Sequence, residues 1–179
     1  NTEYHLPQLF GTIAIFDSKT GKPLGLLNGN AITGMRTGAA GAIGAKYLAK
    51  KNAKTLLIVG TGHQAKYQLQ ATLLALPQIE TVLIYNPHDV KKAEQYVQHI
   101  ETALDGITAP NTKFQAVADL EQAVGNSDII ITVTPSYQPL IQKNWVKEGT
   151  HFSCIGADMA GKQEIDEAIF TDAKLFVDD

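Results

Sequence analysis

Two stretches carry residue types at spacings that could do chemistry: Val59-Gly60-Thr61-Gly62-His63-Gln64-Ala65 and Gly156-Ala157-Asp158-Met159-Ala160-Gly161-Lys162-Gln163-Glu164. In the first, Gly60 suits a tight turn and Gly62 lets backbone approach a diphosphate. Ala65 is small enough for a following helix to pack on a strand. The unpaired N–H groups and dipole of that helix would favour negative charge. By itself such a glycine pair is also an ordinary turn, and its setting has to decide. In the second stretch, Asp158 beside a dry apolar ring could have a raised pKa and serve as acid and base. Equally, it could cap the turn into the next helix. Lys162 could anchor a ligand carboxylate, although a single lysine is more often solvated.

The other titratable groups form no constellation. His5, His63, His88, His99 and His151 lack zinc-ligand spacing, so no metal is expected. Cys154, the single cysteine, lies in a strand-like run and reads as buried packing rather than a nucleophile. It has no partner for an internal disulfide, which fits a reducing, cytoplasmic setting. No G-x-S-x-G elbow or Walker loop is present. A net charge of −3 supplies no concentrated basic field for nucleic acid or an anionic membrane. No apolar run approaches the ~20 residues that span a bilayer. With 44% hydrophobic and 18% charged residues, the chain has the make-up of a globular protein with a proper core.

For the two stretches to act together, the fold must bring them to one edge. Residues 10–17 and 24–29, around turn chemistry at 18–23, read as a β-hairpin. Residues 35–52 read as a helix, although Gly38, Gly41 and Gly44 each cost it about 1 kcal/mol relative to Ala. Small residues at that spacing predict close packing against another element. Strands then alternate with helices. The strands fall at 55–59, 81–85, 113–117, 128–134, 150–156 and 174–178. The helices fall at 64–76, 89–104 (with Asp89 as N-cap), 119–124 and 163–170. Ala65, Leu69, Leu73 and Leu76 share one helical face. Near-continuous apolar strands between helices predict a parallel sheet covered on both faces. The fold class is α/β, a doubly wound sheet of the Rossmann type preceded by a short hairpin.

Ligands of such sheets bind beyond the carboxyl ends of the strands. The glycine turn follows a strand and opens a helix within a unit of about thirty residues, the setting that supports a dinucleotide fingerprint. The expected nucleotide contacts are Gly60, Thr61, Gly62, His63, Gln64 and Ala65 in the turn, and Asn86, Pro87 and His88 after the second strand. Thr132, Val133 and Thr134 follow after the fourth strand, and Gly156 and Ala157 after the fifth. Backbone at Val133 and Thr134, with the Thr134 hydroxyl, would lie beside the cofactor, with Asp158 at the reacting edge. A carboxylate after the second strand would grip both ribose hydroxyls and repel a 2′-phosphate. Asn86 stands there instead and can bond a hydroxyl without excluding a phosphate. His88, Lys91 and Lys92 supply nearby positive charge, without an arginine. The cofactor is therefore NAD or NADP, with a lean to NADP.

Four stretches resemble the ornithine cyclodeaminase/μ-crystallin family of NAD(P)-dependent enzymes: 34–49 (GMRTGAAGAIGAKYLA), 60–65 (GTGHQA), 127–134 (SDIIITVT) and 156–166 (GADMAGKQEID). The resemblance implies that Arg36 binds the substrate α-carboxylate, as a guanidinium fork does well. It also implies that Thr37 contacts the cofactor phosphate and that Asp158 handles a substrate amine or activated water. The implied chemistry is hydride transfer from an amino-acid Cα to nicotinamide, followed by hydrolysis of the imine or by cyclisation with loss of ammonia. Its reverse is imine reduction. A non-enzymatic μ-crystallin-like binder is the second reading, and Arg36 together with Asp158 favours the enzyme. An S-adenosylmethionine methyltransferase is a third. The missing acid after the second strand and the helix before the first strand count against it.

The family implies a longer N-terminal portion and further C-terminal helices. Residues 1–33 are therefore expected to be a hairpin remnant of a substrate and dimerisation domain, and 34–179 the NAD(P)-binding domain. The parent protein is expected to be a homodimer acting on a small amino or imino acid, without nucleic-acid or membrane partners. The piece alone is expected to bind dinucleotide without turning over substrate.

Overall fold

The structure, a computed structural model, describes residues 10–177. His5 and the last residue of the expected strand at 174–178 lie outside that range. β1 (Thr12–Phe16) and β2 (Pro23–Asn28) pair antiparallel. In their turn Gly21 has φ 71°, and the Asp17 carboxylate accepts from Lys19 N and Thr20 N. Helix α1 (Gly29–Leu48) follows directly. Asn28 caps it, its Oδ1 accepting from Asn30 N at 3.0 Å. That cap starts the helix ahead of the expected residue 35, and the helix ends at Leu48 rather than 52. The described residues divide inside α1 into two compact units, one ending at Arg36 and the other beginning at Thr37.

The second unit holds β3 (Thr55–Val59), α2 (His63–Ala75), β4 (Thr81–Tyr85), α3 (Val90–Ala103), β5 (Lys113–Ala116), α4 (Leu120–Asn126), β6 (Ile129–Thr132) and β7 (His151–Cys154). The five strands run parallel in the order β5-β4-β3-β6-β7. The period-two alternation of a strand sends successive apolar side chains to opposite faces. Leu56, Ile58, Val82, Ile84, Ile129 and Ile131 meet α2, α3 and Ala45 of α1 on one face. Leu57, Val59, Leu83 and Ile130 meet α4 together with Ile141, Ile165 and Ile169 on the other. Ala65, Leu69, Leu73 and Leu76 are all buried, and Asp89 caps α3 by accepting from Lys91 N.

The small residues of α1 do permit close approach. A Cβ on Gly38 would stand 2.5 Å from Tyr67 O of α2, and one on Gly41 would collide with the Gln68 side chain. Two expected elements are different. Residues 163–170 do not form one helix: Ile165 bridges Ile141, and a 3₁₀ turn runs only from Glu167 to Thr171. The reason lies in the partners of two carboxylates. Glu164 is drawn inward by hydrogen bonds, and Asp166 caps the turn by accepting from Ala168 N. Residues 174–177 form no strand; Leu175, Phe176 and Val177 are exposed, and strand propensity needs a paired neighbour to act on. Among the described residues, no helix is long and apolar enough to cross a membrane.

Candidate functional site

Strand order reverses between β3 and β6, which leaves a crevice beyond their carboxyl ends. Gly60 follows β3 there with φ 112°, a conformation that favours glycine. Its N–H donates to Tyr85 O at 2.8 Å, and a Cβ on it would lie 2.8 Å from Val133 O. The turn is thus wedged between β4 and β6. Gly62 differs, since a Cβ there would meet nothing within 4 Å. It is the N-cap residue of α2, and no side chain caps that helix. A helix N-terminus therefore faces open space at the point where the strand order reverses.

Asn86 secures the neighbouring loop. Its Oδ1 accepts from His88 N at 2.9 Å and Asp89 N at 3.2 Å, while its Nδ2 donates to Thr61 Oγ1 at 2.7 Å. The carboxamide oxygen is thus already engaged with its own backbone.

On the other side of the crevice, Glu164 is only 2% exposed. Its Oε1 accepts from Thr134 N at 2.6 Å and Thr134 Oγ1 at 2.7 Å. Its Oε2 accepts from Thr132 Oγ1 at 2.8 Å and Gly156 N at 2.9 Å. A buried carboxylate is costly unless its acceptor sites are filled, and here four donors fill them. Gly156 packs so tightly on Thr134 and Glu164 that a Cβ would overlap Thr134 O.

Asp158 follows two residues later, with a side chain 69% exposed and a 2.5 Å ion pair to Lys162 Nζ. The hydrogen bond from Lys162 holds its carboxyl below the ordinary value. The raised pKa expected for Asp158 is therefore not found, because water and a cation surround it. Nor does it cap a helix. Lys162 is not solvated as expected; its side chain is 15% exposed. Cys154, expected as buried packing, is exposed as a residue at the end of β7, but protein crowds its sulfur itself. That desolvation, with Glu164 nearby, pushes the thiol up to about 11, so it is no nucleophile at neutral pH.

The structure brings Asn86, Thr61, Gly60, Val133, Thr134 and Gly156 into one connected line along the carboxyl edge. Three expected contact residues are engaged with the protein itself. Ala65, on the buried face of α2, packs that helix on the core as its small size suggested, and the Thr132 and Thr134 hydroxyls both face Glu164. The Thr134 hydroxyl, expected beside a cofactor, instead donates to Glu164. Val133 remains partly open, as do Pro87 and Gln64, while His63, His88 and Ala157 are exposed. Arg36, exposed on α1, ends the first unit. Thr37 opens the second, its carbonyl accepting from Gln68 Nε2 at 2.9 Å. Glu164 is the residue that sequence reading missed, since a lone glutamate in GKQEID reads as a solvated side chain. No group of three or more His, Cys, Asp or Glu side chains gathers to hold a metal among the described residues.

Comparison with known proteins agrees with this fold. The alanine dehydrogenase of Archaeoglobus fulgidus is 39% identical over 179 residues, covering 100% of this chain and 52% of the relative. A solved archaeal alanine dehydrogenase dimer with bound NAD superposes with a TM-score of 0.85 at 38% identity, covering 99% of this chain and 52% of the other. The Thermococcus litoralis Δ1-pyrroline-2-carboxylate reductase, in complex with NADH and L-proline, gives a TM-score of 0.78 at 35% identity, covering 94% and 50%. The chain thus spans about half the length of the relatives it matches. A sequence profile of the ornithine cyclodeaminase/mu-crystallin family matches residues 1–179, and the chain belongs to that family.

Proposed function

We propose that this chain supplies the dinucleotide-binding part of an NAD(P)-dependent enzyme that interconverts an amino acid and its imine. One observation carries the reading: the open space at Gly62, on an uncapped helix N-terminus where the strand order reverses. The backbone of Gly60 to Gln64 would hold the diphosphate, with Asn86 and His88 toward one ribose. Val133 and Ala157 would lie along the nicotinamide half. The chemistry that a nicotinamide held there would supply is hydride exchange with the substrate Cα.

The chain's own groups do the rest. Arg36 would pair with the substrate carboxylate and Thr37 would contact a cofactor phosphate. Asp158, kept ionised by Lys162, would accept a proton from the substrate amine or from the water that attacks the imine. A dehydrogenase, a reductase and a lysine cyclodeaminase all stand among the similar proteins. Their names support amino-acid and imine redox chemistry, with cyclisation proposed beside dehydrogenation and reduction.

Asn86 carries no charge and its oxygen is turned away, so nothing at that position repels a 2′-phosphate. Both NAD and NADP are therefore proposed to bind, although the solved relatives carry NAD and NADH. A homodimer and a cytoplasmic location complete the proposal, the first supported by the dimeric relative. Titration of the protein with NADH and with NADPH, followed by nicotinamide fluorescence, tests the reading. Saturable binding of both is expected. Binding of neither contradicts the function, and strict selection of NADH removes only the dual specificity.

A further inference from the structure

We propose that Glu164 is a positioning residue for the reacting end of the site, acting through the two loops it joins; this rests on the dinucleotide reading above. The carboxylate lies beneath the crevice, 2% exposed, so it is placed to touch neither nucleotide nor substrate. Its two oxygens reach the loops that follow β6 and β7. Oε1 holds Thr134 just after β6, and Oε2 holds Gly156 just after β7. Thr132 Oγ1 donates to the second oxygen and fixes the carboxylate plane.

Gly156 and Glu164 are also the two ends of the segment that carries Asp158. The bond between them closes residues 156–164 at the base, and the Asp158–Lys162 pair ties the segment across its middle. Outside contacts anchor the same base: Gln163 N donates to Ser136 O at 2.9 Å and Leu140 N to Glu164 O at 2.8 Å. Asp158 stands two residues from an N–H gripped by Glu164. A loop is otherwise a poor platform for a group that must meet a reacting atom, because small displacements are costly to catalysis.

The test uses Glu164→Gln and Thr132→Val in the full chain, with NADH and ADP-ribose as ligands. ADP-ribose shares the adenosine and diphosphate but lacks the nicotinamide. In Glu164→Gln an N–H₂ group faces donors, and the dissociation constant for NADH should rise about tenfold while that for ADP-ribose stays within about twofold. Amide exchange at Thr134, whose N–H is held by Glu164, should quicken at least about tenfold, with Leu57 and Leu83 unchanged. Thr132→Val removes one hydroxyl, keeps the fold, and should move both readouts in the same direction by a smaller factor. It decides the matter if Glu164→Gln does not fold. Equal weakening of both ligands, weakening of neither, or faster exchange across the whole sheet would overturn the assignment and leave Glu164 a plain strut. If the unaltered protein binds neither ligand, the dinucleotide reading itself is what has failed.

Discussion

At the amino ends of the strands, the Asp128 carboxylate accepts from Lys54 N at 2.8 Å, Thr55 N at 3.0 Å and Lys147 Nζ at 2.8 Å. At the carboxyl ends, Glu164 accepts from Thr132, Thr134 and Gly156. Both carboxylates tie neighbouring strands, but their surroundings differ. Asp128 keeps its side chain 23% exposed, beside a Lys147 that is itself partly solvated. Glu164 is sealed from water, and next to it the chain leaves the N-terminus of α2 uncapped and the space at Gly62 open. One edge is closed with surface charge. The other is held from below and left open above, so a hydrogen-bonded floor lies under an accessible crevice.

The contrast can be broken at either edge. The largest effect is expected from Glu164→Leu, which strands four donors away from water and should cost about 4 kcal/mol in chemical denaturation. A loss below about 1 kcal/mol would mean that the buried carboxylate does not hold the floor. Gly62→Val should weaken NADH binding about 100-fold, worth about 2.7 kcal/mol, while stability stays within about 1 kcal/mol. Calorimetric titration beside a thermal melt separates the two, and unchanged affinity would show that the open space is not the diphosphate site. Gly60→Ala forces a left-handed backbone on a side chain and presses it toward Val133 O, so about 2 kcal/mol of stability should be lost.

The amino edge should respond more gently. Burial alone would raise the Asp128 carboxyl, but the Lys147 bond, the two backbone N–H donors and the Lys147 charge outweigh it and lower its pKa. That lowered pKa makes the stabilisation full above about pH 4 and loses it as pH falls through the folded value. Asp128→Asn should therefore cost about 1 kcal/mol at neutral pH and flatten the acid limb of a stability–pH curve. An acid limb as steep as that of the unaltered protein would count against the assignment. Least of all, Glu80→Gln removes a largely exposed 2.6 Å pair with Lys54 and should change the melting free energy by under about 0.5 kcal/mol.

Much of this was legible beforehand because apolar runs declare themselves. Ile129 to Ile131 and Leu56 to Val59 could hardly be anything but strands buried on both faces, and the alternation with helices then set the sheet. The glycine turn was legible from its place between strand and helix. What escaped depends on partners distant in sequence. Nothing near Glu164 announces that Thr132 and Thr134, about thirty residues earlier, will bond its carboxylate and keep residues 163–166 from becoming a helix. Asp158 was found by position, yet its low pKa comes from Lys162 and water rather than from the dry setting assumed for it. The start of α1 was missed because Asn28, its cap, precedes a glycine and sits at the end of a strand.

The central claim is that the carboxyl edge, and not the amino edge, receives a dinucleotide on the backbone at Gly60–Gln64. Backbone amide shifts recorded through a titration with NADH test it residue by residue, at a size of 19.3 kDa. The predicted result is saturable change at Gly60–Ala65, at Val133–Thr134 and at Gly156–Asp158, with Lys54, Thr55 and Asp128 silent. Shifts centred on the amino edge, or none anywhere at saturating nucleotide, would contradict it.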